Sequence, residues 1–95
     1  MSIVSPVLES QILETSGGDR FKVVIFNNSH NSQDEVMVVL MVATKCDENE
    51  AYIEMWEAEQ FGKASVHFAG EPECKAAAVI ISSIGLKVEV SPEWE

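Results

Sequence analysis

Residues 21–36, FKVVIFNNSHNSQDEV, decide how this chain folds. Phe21 to Asn27 is aromatic and β-branched, the composition of a strand. Asn27-Asn28-Ser29 ends it in polar turn residues. Ser32-Gln33-Asp34-Glu35 then fits a capping box, in which the Ser32 hydroxyl accepts from the Glu35 amide and the Glu35 carboxylate reaches back to the Ser32 amide. Both acids also suit the positive end of a helix dipole. The spacing predicts a helix from this cap to about Lys45.

Further along, Asp47 with Glu50 is a second start signal of the same kind, and Gly62 is a stop, so a second helix is expected over 48–60. Lys63 to Ala69 (KASVHFA) reads as a strand. Glu71-Pro72-Glu73 opens a third helix, with proline tolerated in the first turn, running to a Gly85 cap. Leu86 to Val90 (LKVEV) alternates like a strand. The order is β-α-α-β-α-β: one small α+β domain over 20–95, a three-stranded antiparallel sheet with three helices on one face. Upstream, residues 1–19 carry serines, Pro6 and the Ser16-Gly17-Gly18-Asp19 junction without a sustained period, and read as a flexible N-terminal arm.

With 95 residues there is room for one small domain. Six Lys and Arg against 16 Asp and Glu give a net charge of -10. Nucleic-acid binding needs cations to displace phosphate counterions, so that class is excluded, and anionic lipid is disfavoured. Hydrophobic residues make up 46%, which supports a core. Cys46 and Cys74 are too few for a disulfide scaffold and read as reduced thiols. The longest apolar run, Val36 to Ala43, is far short of the ~20 residues of a spanning helix. No Lys or Arg precedes Arg20, so no basic signal-peptide region is seen. A cytoplasmic protein that does not contact membrane is expected.

Placing the second helix at roughly 100° per residue puts Asp47, Glu50, Glu54 and Glu57 in one sector, expected to be a solvated acidic stripe. Tyr52, Met55 and Trp56 fall opposite and are expected to pack inward. Glu59 lies amid that apolar side, where a half-buried carboxylate calls for a partner. The first helix is apolar all round from Val36 to Ala43, more than one packing face needs. Asn27, Asn28, Ser29, His30 and Asn31 form a cluster of donors and acceptors larger than a tight turn requires.

Enzyme signatures are lacking. His30 and His67 have no metal-ligand spacing with Cys46 or Cys74, and no phosphate loop or nucleophile elbow occurs. No cofactor, metal or catalytic residue is expected.

The joined pattern FKVVIFNN, a polar loop and Val-rich helix, MWEAEQFGKA, a short strand and helix, and GLKVEV resembles the ClpS family over about 21–92. The resemblance implies the fold shared with the C-terminal domain of the ribosomal stalk protein. It implies an adaptor that binds substrates through destabilising N-terminal residues and hands them to a ClpA- or ClpC-like AAA+ unfoldase. It also implies that the arm enters that unfoldase. The family's Asn-Asp after the first strand stands here as Asn27-Asn28. Its loop methionine is Gln33, and its pocket histidine, in a Met-x-x-x-His segment, is Glu59 after Met55. An acid and a base that contact the unfoldase fall on Pro72 and Ala77.

By this resemblance the N-degron pocket draws on Asn27, Asn28, Asn31, Gln33, Val36, Val38, Val39, Met55, Ala58, Glu59 and Leu86. Losing the acid at Asn28 and gaining one at Glu59 keeps one carboxylate near a substrate α-ammonium. Two other classes stand beside the adaptor. One is an interaction module of the same fold that has lost degron binding and regulates a Clp chaperone or binds another protein. The other is a small metal-dependent enzyme using Glu50, Glu54 and Glu57.

Overall fold

The structure is a computed structural model and describes residues 20–94; the expected arm over 1–19 lies outside them. The elements are β1 (Phe21–Phe26), α1 (Gln33–Thr44), α2 (Glu48–Phe61), β2 (Lys63–Ala69), α3 (Glu71–Ser82) and β3 (Val88–Pro92). This is the order read from the sequence. Each helix start has a local cause. The Ser32 hydroxyl accepts from the Glu35 amide at 3.1 Å, and the Ser32 amide donates to Glu35 Oε1 at 2.9 Å. Asp47 Oδ1 accepts from the Glu50 amide at 2.8 Å. Substituting such a cap typically costs about 1 kcal/mol.

The helix ends differ from one another. Gly62 closes α2 at φ 87 and donates to the Ala58 carbonyl, the left-handed turn that glycine adopts at no steric cost. Lys45 closes α1 at φ 64 and carries the side-chain strain that a glycine would avoid. The third helix stops earlier than expected, at Ser82 with Ser83 as its cap. Gly85 takes its positive φ in the turn that follows. The last strand is shifted accordingly, to Val88–Pro92, with Leu86 buried ahead of it.

The sheet order is β2-β1-β3, antiparallel throughout, with β1 in the centre. Val23 and Ile25 on β1 pair with Val90 and Val88 on β3, and these face the helices. Between Val23 and Val24 the β2 register slips by one residue, at Val66. The slip turns both Val66 and His67 from the open face: Val66 is buried, and His67 Nε2 meets Glu73 of α3 at 3.0 Å. The other sheet face is lined by Lys22, Phe26, Lys63, Ser65, Glu89 and Ser91, with Lys87 Nζ 4.7 Å from the Phe26 ring centre.

Helices α2 and α3 pack on the sheet, and α1 packs against both of them. Ile25, Leu40, Met55, Cys74, Ile81 and Leu86 form the centre of the core. Burying a large side chain of this kind contributes about 1.5–3 kcal/mol.

Two expectations about α2 are overturned. Its buried face is Ala51, Glu54, Met55 and Ala58, spaced i, i+3, i+4, i+7. Glu54 is therefore in the interior and not on a solvated stripe. Tyr52 and Trp56 are exposed. The alanines let α2 approach the sheet and α1 closely, which leaves no room for aromatic rings on that line. The rings sit outside, where Trp56 stacks edge-on against Phe61 with centroids 6.1 Å apart. The surplus apolar surface of α1 is exposed too, at Val38 and Val42.

Candidate functional site

At the end of the central strand the chain leaves the sheet as a loop, and the loop, α1 and α2 enclose a depression. Its lining comes from Ile25 to Asn28 at the strand end, Asn31 and Ser32 in the loop, Gln33 and Val36 on α1, Met55, Ala58 and Glu59 on α2, and Leu86 before β3. The floor is apolar, since Ile25, Val36, Met55, Ala58 and Leu86 are all buried. The rim is polar.

The loop is held by its own side chains. Asn28 Oδ1 accepts from the amides of His30 and Asn31, each at 3.1 Å, and Asn28 Nδ2 donates to Asn31 Oδ1 at 2.9 Å. Asn31 Nδ2 in turn donates to the Ile84 carbonyl at 2.8 Å, tying the loop to the turn after α3. Asn28 and Asn31 thus build the wall of the depression and spend most of their hydrogen bonds doing so.

Glu59 is exposed, not half-buried, and it has a partner. Gln33 Nε2 donates to both carboxylate oxygens, at 3.3 and 3.1 Å. This contact joins the first turn of α1 to the last turns of α2 across the mouth. The space left beneath is about 30 Å³, room for a water or two.

Nine of the eleven residues named from the sequence meet here: Asn27, Asn28, Asn31, Gln33, Val36, Met55, Ala58, Glu59 and Leu86. Val38 and Val39 do not. They line a shallow apolar groove between α1 and α3, with Val42, Ile80 and Ile84. Residues three apart on a helix share a face, so Val36 and Val39 both turn inward, but Val39 lies one turn beyond the loop. Sequence reasoning missed Ile25, Phe26 and Ser32. The strand period could have found Ile25, two residues before Asn27, and the cap assignment could have found Ser32 beside Gln33. Ala77 and Pro72, which the resemblance sets at the family's contacts to the unfoldase, differ in exposure: Ala77 is buried in the core and Pro72 is exposed.

An apolar floor with a carboxylate and amides at its rim is suited to an apolar side chain borne next to a cation. The family model for the ATP-dependent Clp protease adaptor protein ClpS matches residues 17–89, most of the chain and all of this site. The chain belongs to the ClpS family. The family is one of adaptors to the ATP-dependent Clp protease, so the chain is not an enzyme. Among solved structures, the fold is similar to Agrobacterium tumefaciens ClpS2 bound to L-phenylalaninamide. The TM-score is 0.75 at 23% identity, over 80% of this chain and 99% of that one. No curated protein matches the chain. Among the described residues, no helix is long and apolar enough to cross a membrane.

Proposed function

We propose that this chain is a divergent ClpS adaptor whose depression receives the N-terminal residue of substrate proteins. The observation that carries the reading is the placement of Glu59. Among the described residues that line the apolar-floored site it is the one carboxylate, and a substrate α-ammonium would sit beside it once the side chain has entered. The A. tumefaciens relative was solved with L-phenylalaninamide, a free α-amine beside a benzyl group, which is the chemistry that such a site selects. Charge-assisted hydrogen bonds of this kind are the strong ones. Asn27 at the exposed rim supplies a further polar contact.

In this reading a substrate displaces Gln33 from Glu59, because the space beneath the closed bridge is too small for an aromatic side chain. Residues 1–19 act as the arm presented to a ClpA- or ClpC-like unfoldase, and the protein works in the cytoplasm. A reconstituted degradation assay tests this. A reporter with N-terminal Phe should be degraded by a Clp unfoldase and peptidase in the presence of the full chain. It should persist when residues 1–19 are removed. Degradation that does not depend on the chain would contradict the adaptor role.

One observation favours a second reading. The Gln33–Glu59 bridge satisfies the rim carboxylate internally and leaves only about 30 Å³ below it. A module of ClpS fold that no longer binds N-terminal residues would look like this, and would act on a Clp chaperone or another protein through other surfaces.

A further inference from the structure

The Gln33–Glu59 bridge is also the end of an apolar strip. Gln33 opens α1 and Glu59 lies near the end of α2, and only residues 45–47 separate the two helices, so they run antiparallel away from the bridge. Along α1, Met37 and Met41 follow Gln33 at four-residue steps. Along α2, Trp56 and Tyr52 precede Glu59 by three and seven residues. Such spacings keep side chains on one face of a helix. Met37 is half-buried against the core, while Met41 is 36% exposed, Trp56 44% and Tyr52 51%. Two methionines and two aromatic rings open to water, on a chain of net charge -10, are the composition of an interaction surface. The other side of the mouth is walled by Asn28 and Asn31, anchored to the Ile84 carbonyl.

We propose that this strip receives the third residue of a substrate, and so selects substrates with an apolar side chain two positions after the N-terminal one. This rests on the reading of the depression as the seat of the N-terminal residue. With the first side chain down in the depression and the α-ammonium at Glu59, the peptide leaves the mouth over the strip, away from the asparagine wall. In an extended chain successive side chains point to opposite faces. The second side chain therefore turns to solvent, and the third turns down again about 7 Å further on. At a helical rise of about 1.5 Å per residue, Trp56 stands about 4.5 Å and Tyr52 about 10.5 Å along α2 from Glu59. The third side chain arrives between them, with Met37 and Met41 on the α1 side. Rigid rings supply contact area at low entropic cost, and methionines adapt their shape, so the strip accepts Leu, Ile, Met or Phe alike.

The test is competition against a fluorescent peptide with N-terminal Phe bound to the full chain. The unlabelled competitors begin Phe-Ser-Ser, Phe-Ser-Leu and Phe-Leu-Ser and are otherwise identical. Phe-Ser-Leu should bind about fivefold more tightly than Phe-Ser-Ser, the gain from partly burying one leucine. Phe-Leu-Ser should stay within about twofold of Phe-Ser-Ser, because its leucine faces water. Trp56→Ala and Tyr52→Ala should each shrink the advantage of Phe-Ser-Leu and leave the affinity for Phe-Ser-Ser within about twofold, since neither residue lines the depression. Phe68→Ala removes an exposed ring from the β2 flank of α2 and should keep the full advantage. Equal affinity for Phe-Ser-Leu and Phe-Ser-Ser would overturn the proposal and leave the N-terminal-residue reading standing. Equal gains from Leu at positions two and three, or an advantage that survives both α2 variants, would reduce the effect to general hydrophobicity and overturn the proposal as well. Binding by none of the three peptides would overturn the reading of the depression itself, and the proposal with it.

Discussion

Gln33 Nε2 donates to both carboxylate oxygens of Glu59, so two residues 26 positions apart close the mouth of the depression. By the sequence resemblance, both stand where the family has other residues, a methionine and a histidine. In the proposed adaptor reading their contact turns two separate departures into one feature: a carboxylate for an α-ammonium and an amide that occupies it until substrate arrives.

That feature gives opposite expectations for its two halves. Glu59→Gln should weaken binding of a peptide with N-terminal Phe by about 1.5–3 kcal/mol, the worth of a hydrogen bond to a charged group. Its melting temperature should stay close to the parent's, since the group is exposed. Isothermal titration and a thermal melt measure the two. Unchanged affinity would reduce Glu59 to a solvated residue at the end of α2.

Gln33→Ala frees the same carboxylate. Affinity for the Phe peptide should rise about threefold to tenfold, because the substrate no longer competes with an internal hydrogen bond. An unchanged or lower affinity would show that the bridge is not what closes the site.

Glu54 makes stability depend on pH in an unusual direction. The unfolded chain ionises this carboxyl near 4.5, while the folded chain holds the proton to about 8. Between these values the folded state binds more protons, so Glu54 lowers stability as pH rises. Relative to the parent, Glu54→Gln should therefore gain stability progressively from pH 4.5 to about 8, by roughly 2–4 kcal/mol, and gain nothing further above it. Urea unfolding across that range measures it. A difference that does not vary with pH would mean that Glu54 is ionised in the folded protein.

Lys45 offers a test of backbone strain alone. Its φ of 64 is left-handed, which costs a residue with a side chain about 1 kcal/mol. Lys45→Gly should stabilise the protein by about 0.5–1 kcal/mol, despite the added freedom of the unfolded chain. A drop in the urea midpoint would contradict this.

How much of this was legible depends on whether a feature is decided locally. The capping box at Ser32, the Asp47 cap and the Gly62 stop are made by residues within one turn of each other, and the sequence shows them directly. The first two strands were equally plain, β1 being rich in Val and Ile, whereas the last begins two residues later than its alternation suggested, because Leu86 is buried in the turn ahead of it. The inward face of α2 was not. A helical wheel shows which residues share a sector, but which sector turns inward is set by what the helix lies on. Here Ala51 and Ala58 let α2 approach β2 and α1, and Glu54 is carried inside with them. The alanine spacing was the available signal, and the large rings of Tyr52 and Trp56 masked it. The depression was largely legible through the family resemblance, except on α1. There, Val38 and Val39 could not be told from Val36 in a helix that is apolar all round. The Gln33–Glu59 contact joins two elements and has no counterpart in either segment alone.

The most direct measurement compares two peptides that differ by one acetyl group: one with a free N-terminal Phe, the other the same sequence N-acetylated, each titrated into the full chain. Acetylation removes the charge and the donors of the amine and leaves the side chain intact. The free peptide should bind and the acetylated one should not, because in the proposed function recognition rests on the α-ammonium at Glu59 together with the apolar floor. Equal binding of the two, or binding of neither, would contradict the assignment of this depression to N-terminal residues.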